Sequence, residues 1–146
     1  MTPLQLIGRL HPLVVHFPIA CIVLAGAGET VRLFWNRPQL GAFVTWALGI
    51  GTLAAVLALP TGFVFAYEYH PQPSLRWMLQ LHRWLGVATA VVAFTAWIAA
   101  RTWIETLSPS KRWLRRGIVW LASLALIATA HFGALMVWGE DYFSQS

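Results

Sequence analysis

The chain has 146 residues, of which 58% are hydrophobic and only 10% charged. A soluble domain carries about a quarter charged residues, so this composition excludes a solvated globule and points to a polytopic membrane protein covered by lipid. The net charge of +5 comes from ten Lys and Arg; these read as topology signals, and the run Lys111-Arg112 with Arg115-Arg116 is too short and too close to an apolar segment to imply nucleic-acid binding.

A spanning helix needs about 20 mostly apolar residues, and four stretches qualify. The first runs from Pro12 to Phe34, with Pro12 suited to an opening helical turn. It lacks a small-residue cleavage pattern and leads into an Arg-containing loop, so it reads as a retained span and not a cleavable signal. Cys21 lies within it as the single cysteine, which excludes an intrachain disulfide, and no C-x-x-C-H is present for covalent haem attachment. The second stretch runs from Leu40 to Tyr67, with Gly41, Gly49, Gly51 and Gly62 and with Pro60 as a kink. The third runs from Trp77 to Trp103 and the fourth from Trp113 to Trp138. The short connections force neighbouring helices antiparallel. The predicted fold is therefore all-α, a single transmembrane four-helix domain over residues 1–146 with up-down-up-down topology.

The basic residues orient this bundle. Arg32, Arg37, Arg101, Lys111, Arg112, Arg115 and Arg116 fall on one side, and Arg9, Arg76 and Arg83 on the other with Glu68, Glu140 and Asp141. That bias places the 1–2 and 3–4 loops in the cytoplasm and both termini outside. Trp77, Trp84 and Trp138 on the outer side, and Trp35, Trp103 and Trp113 on the inner, form the expected aromatic belts. Glu29 and Arg32 read as a helix-end pair across one turn in preference to a proton relay.

All five histidines, His11, His16, His70, His82 and His131, then lie towards the outer side. His16, His82 and His131 sit on three helices, each roughly 6–10 Å below the outer boundary at 1.5 Å per residue. His11 marks the boundary itself, and His70 falls in the outer loop Tyr69-His70-Pro71. Ionisable side chains within a membrane are costly and tend to be functional, and imidazole ligates metals and haem iron. Pro18 removes the amide that would bond the Val14 carbonyl, so the first helix is expected to bend beside His16. Gly86 and Gly133 leave room beside the imidazoles, either for a flat macrocycle or for another helix. Arg83 and Arg76 stand at the outer surface, suited either to pairing with haem propionates or to snorkelling towards lipid headgroups. The bland role for the histidines is interhelical hydrogen bonding.

A four-helix bundle holds cofactors between facing helices. His16 and His82, on the 1–3 diagonal, are the simplest bis-imidazole ligands for haem b. His131 is then an alternative ligand, a hydrogen-bonding neighbour, or the ligand of a second haem with His11 or His70. Structural zinc needs four protein ligands, often with cysteine, and no thiol accompanies the cluster; copper, catalytic zinc and chlorophyll-type pigments stay open. No Ser/His/Asp set, phosphate loop or carboxylate pair suggests hydrolytic chemistry.

The run His11-Pro12-Leu13-Val14-Val15-His16-Phe17-Pro18-Ile19-Ala20, with His82-Arg83-Trp84-Leu85-Gly86 and His131-Phe132-Gly133, resembles the hallmark of a bacterial four-helix integral membrane family of unknown function. The resemblance covers essentially the whole chain and brings no established activity. Members of that family sometimes occur joined to, or beside, c-type cytochromes, which implies membrane electron transfer; with the charge bias, the expected location is the bacterial inner membrane with both termini periplasmic. The expected function is a b-type cytochrome subunit carrying one haem or two, with His16, His82, His131 and His11 as ligand candidates. It would pass electrons between a quinone and a c-type cytochrome or a partner subunit of a respiratory or photosynthetic complex. The contrasting expectation is a cofactor-free anchor subunit packing within such a complex. A metal-ion carrier ranks below both.

Overall fold

The computed structural model describes residues 2–68, 73–102 and 108–139. His70 and Trp103 lie outside them. Within them the chain is helical, without strands, and its four long helical stretches are long and apolar enough to cross a membrane.

The first stretch is interrupted twice: α1 (Pro3–Arg9), α2 (His11–Val14) and α3 (His16–Phe34) follow one another almost without a gap. Thr2 caps α1 through a reciprocal bond pair with Gln5, and Pro3 occupies the opening turn. The breaks fall at Leu10 and Val15, both still in right-handed helical geometry. Each precedes a proline, Pro12 or Pro18, that lacks the N–H an unbroken helix needs to bond the Gly8 or Val14 carbonyl. The expected interruption beside His16 is thus at Val15. The helical chain also begins well before Pro12, because the capping box starts a turn that apolarity alone does not mark.

α4 (Pro38–Glu68) continues through Pro60, so the proline does not end the helix. A 3₁₀ turn (Pro73–Leu75) leads into α5 (Arg76–Thr102), and α6 covers Pro109–Trp138. The last helix starts about a turn before the expected Trp113, since Pro109 in the first turn and the polar Ser110, Lys111 and Arg112 extend it past the apolar stretch.

α3 packs against α4 and α6, and α5 against the same two, leaving α3–α5 and α4–α6 as the diagonals; α1 and α2 lean on α4. The interior is small and partly polar: Ala25, Ala47, Ala93, Ala96 and Ala122 are buried with Ile22, Leu48, Val44 and Val119. The large apolar side chains face outward instead, with Trp46 73% and Leu124 64% exposed. In water this inversion would be unstable; in lipid it is expected, because tails solvate large apolar groups as well as a core does, and small residues let helix backbones approach. Gly51 illustrates the approach, since a Cβ there would stand 2.6 Å from Ile22 Cγ1.

Candidate functional site

Two of the five histidines face each other inside one end of the bundle. The rings of His11, at the start of α2, and His82, in α5, are edge to face with centroids 6.4 Å apart. Each ring lies on a glycine of a third and fourth helix. A Cβ on Gly62 of α4 would come within 2.8 Å of His11 Cε1, and one on Gly133 of α6 within 3.0 Å of His82 Cε1. All four helical layers therefore meet at this pair, and the glycines serve imidazole packing.

Hydrogen bonds fix which nitrogen of each ring is engaged. His82 Nδ1 lies 2.9 Å from the Thr129 carbonyl, which only accepts, so Nδ1 carries the proton. Thr61 Oγ1 donates to the Ala58 carbonyl at 2.8 Å, and its remaining capacity accepts from His11 Nδ1 at 3.0 Å. The Nε2 of each ring is left without a hydrogen bond among the described residues. A second layer supports the first: Thr129 Oγ1 donates to Ala125 and accepts from Thr89 Oγ1 at 3.0 Å, both side chains being buried. An Nδ1–H anchored on a backbone carbonyl or hydroxyl is the arrangement that orients a ligating histidine.

The remaining candidates lie elsewhere. His16 is exposed, and its Nδ1 bonds the Pro12 carbonyl of the same helical stretch. His131 is exposed with its ring edge-on to Phe132. His11, not His16, is the histidine of the first span whose ring meets His82. The reason is helical phase: five residues turn a helix by about 500°, so His11 and His16 point about 140° apart. Arg83 is half-buried with its guanidinium 4.7 Å above the Phe63 ring, and Arg76 is exposed. Phe65, stacked on His11 at 6.4 Å, closes the α4 side. Among the described residues no group of three or more His, Cys, Asp or Glu converges as a metal-ion site. What the described residues bring together is therefore a pair of imidazoles.

Residues 9–142 match the model of the family described as "Predicted membrane protein (DUF2231)". The chain belongs to this family. The DUF2231 match takes in His11, Thr61, His82 and Thr129, so the whole histidine end lies inside the family domain. No curated protein and no solved structure matches the chain.

No motif in the sequence singles out Thr61, Thr89 or Thr129, and Gly62 stands there only as one glycine of the second span and Gly133 as a neighbour of His131. The sequence pattern pairs Glu29 with Arg32 across one helix turn and takes Arg115-Arg116 as topology signals. Instead Glu29, 0% exposed, receives Arg32 Nη1 at 2.9 Å, Arg115 Nη2 at 3.0 Å and Arg116 Nε at 3.2 Å. Arg116 Nη2 also donates to the Arg32 carbonyl at 3.4 Å, tying α6 to α3. This cluster occupies the opposite end of the bundle from the histidine pair.

Proposed function

We propose that the protein is a membrane-embedded electron-transfer subunit of the b-type cytochrome kind, with haem held by His11 and His82. The observation that supports this reading is the pair of facing imidazoles, each with Nδ1 committed to a helix and Nε2 left to bind. Haem b, when bound, would supply one-electron redox chemistry. The chain's contribution is to hold the two imidazoles, from α2 and α5, with Nδ1–H anchored and to surround them with apolar and aromatic walls. Thr61 and Thr129 orient the rings through their Nδ1–H groups. Arg83 and Arg76 stand at the same end, where guanidinium groups would pair with propionates. Relative to the sequence expectation, the proposed ligand pair moves from His16 and His82 to His11 and His82, with His131 set aside. The reading keeps the inner membrane, a periplasmic position for the histidine end, and exchange with a quinone, a c-type cytochrome or a partner subunit.

The close seating of both rings on Gly62 and Gly133 favours a second reading, in which the imidazoles serve only as interhelical hydrogen-bond donors of a cofactor-free anchor subunit. A reduced-minus-oxidised optical spectrum of the purified, folded protein separates the two. The haem reading expects a low-spin b-type band that is lost in His11→Ala and in His82→Ala and retained in His16→Ala and His131→Ala. A flat spectrum from folded protein expressed with haem supplied leaves the anchor reading standing and ends the haem one.

A further inference from the structure

We propose that the arginine end of the bundle is a binding site for a phosphate group, presented by an anionic phospholipid headgroup or by free phosphate. The proposal is independent of the haem reading, because the two sites lie at opposite ends.

Charge carries the argument first. Arg32, Arg115 and Arg116 are 3%, 7% and 8% exposed and converge on the single carboxylate of Glu29. Arg115 and Arg116 share Glu29 Oε1 while Arg32 takes Oε2, so the one carboxylate cannot balance both Arg115 and Arg116. An excess of buried charge of one sign is expensive, and an anion is the group that relieves it.

Hydrogen-bonding capacity adds an independent observation. Arg115, with a side chain more than nine-tenths buried, places one Nη2–H on Glu29, while its Nε is buried with no partner among the described residues. Guanidinium presents its N–H groups as a planar fork that matches phosphate oxygens in pairs. Arg116 is held flat by Trp113, 5.2 Å from its ring centroid, which limits the freedom that binding would otherwise remove.

Position then identifies the source of the phosphate. Glu29 lies about 8 Å from the end of α3, and Arg115 about 9 Å from the start of α6, at 1.5 Å per residue. Exposed Arg37, Arg101, Lys111 and Arg112 surround the same end, giving a basic rim above a basic interior. Basic pockets between membrane helices at the interface are suited to anionic headgroups, and the lipid-facing Trp113 and Leu114 beside the cluster offer acyl chains an apolar bed.

The test uses the full-length protein in detergent with phosphatidylglycerol, phosphatidylcholine or inorganic phosphate as the probe, read by native mass spectrometry and by thermal melting. Phosphatidylglycerol is expected to be retained and to raise the melting temperature, with at least tenfold preference over phosphatidylcholine. A rise with millimolar inorganic phosphate and no lipid preference would assign the site to free phosphate. Arg115→Gln is expected to weaken the anionic probe at least tenfold, Lys111→Gln and Arg112→Gln less than threefold, and Glu29→Gln to tighten it by removing the competing carboxylate. If Arg115→Gln does not fold, Arg116→Gln and the wild-type probe comparison carry the decision. Indifference of the wild-type protein to both anionic probes, or an equal loss in Arg112→Gln and Arg115→Gln, would overturn the proposal.

Discussion

At the scale of single residues, the histidine end depends on the space that Gly62 and Gly133 leave. His11 Cε1, Nδ1 and Nε2 all lie within 3.2 Å of the position a Cβ on Gly62 would take. Its ring cannot retreat easily, because Phe65 stacks on one side and the Thr61 bond holds Nδ1. Gly62→Ala is therefore expected to destabilise the bundle by about 1–3 kcal/mol, the usual cost of overpacking, and to displace His11. Gly86→Ala is the control, since its Cβ would meet only Thr129 Cγ2 at 3.9 Å and Leu59 Cδ2 at 4.0 Å. Thermal unfolding of both variants in one detergent checks the pair; equal losses would show that the seat on Gly62 is not tight. The same scale shows what was legible beforehand. The helix order places His11 and His82 at one end of the bundle, but starting the first span at Pro12 sets His11 at its edge, whereas the helical stretch from Pro3 brings it beside His82; the direction of each ring lies in the burial phase. Along the first span the buried positions Pro18, Ile22, Ala25, Glu29 and Arg32 recur at intervals of three and four. Extended backwards, that phase reaches His11 and misses His16. In α6 the buried Val119, Ala122, Leu126 and Thr129 continue to Gly133 and miss His131, while His82 is in phase with buried Thr89 and Ala96 of α5.

At the scale of elements, α3 and α6 are joined by a small-residue contact in the middle and by charge at one end. Ser123 Oγ donates to the Ile22 carbonyl at 2.8 Å, and a Cβ on Gly26 would overlap that hydroxyl. Gly26→Ala alone is expected to push the helices apart and cost about 1–3 kcal/mol. Gly26→Ala with Ser123→Gly returns the space and should recover part of that loss, the remainder reflecting the lost serine bond. A double-mutant cycle in thermal unfolding measures this coupling, and strict additivity would show that the two residues do not share a contact. The four-span architecture was legible because apolar length is a coarse and robust signal. The Glu29 cluster was not, because the sequence shows Arg32 one turn away but gives no means of choosing Arg115 and Arg116 from the other basic residues. What decides that pairing is the antiparallel register of α3 against α6, a tertiary quantity. Glu29→Ala leaves the three guanidiniums facing one another, and breaking a buried ion cluster in this way typically costs about 3–5 kcal/mol. A much smaller drop in stability would mean that water or another anion already shares the cluster.

At the scale of the whole molecule, the burial of Arg32, Arg115 and Arg116 bears on how the chain is oriented. Counting only exposed basic side chains, the arginine end retains Arg37, Arg101, Lys111 and Arg112 against Arg9 and Arg76 at the histidine end, a small excess. Orientation, however, is set as segments insert, before α3 and α6 have packed, so the three arginines that end up buried still act as topology signals at that stage. On the proposed reading, the full set is expected to put the arginine end in the cytoplasm and the histidine end outside. Single-cysteine labelling tests this in a Cys21→Ser background. Ser74→Cys reports the exposed turn before α5 and Ser110→Cys the exposed first turn of α6, at opposite ends of the bundle. A membrane-impermeant maleimide is expected to label Ser74→Cys in intact spheroplasts and Ser110→Cys only after lysis. The reverse pattern would invert the protein and put the histidine pair beside cytoplasmic partners. Labelling of both positions from outside would instead break the four-span topology, since α5 would no longer separate them.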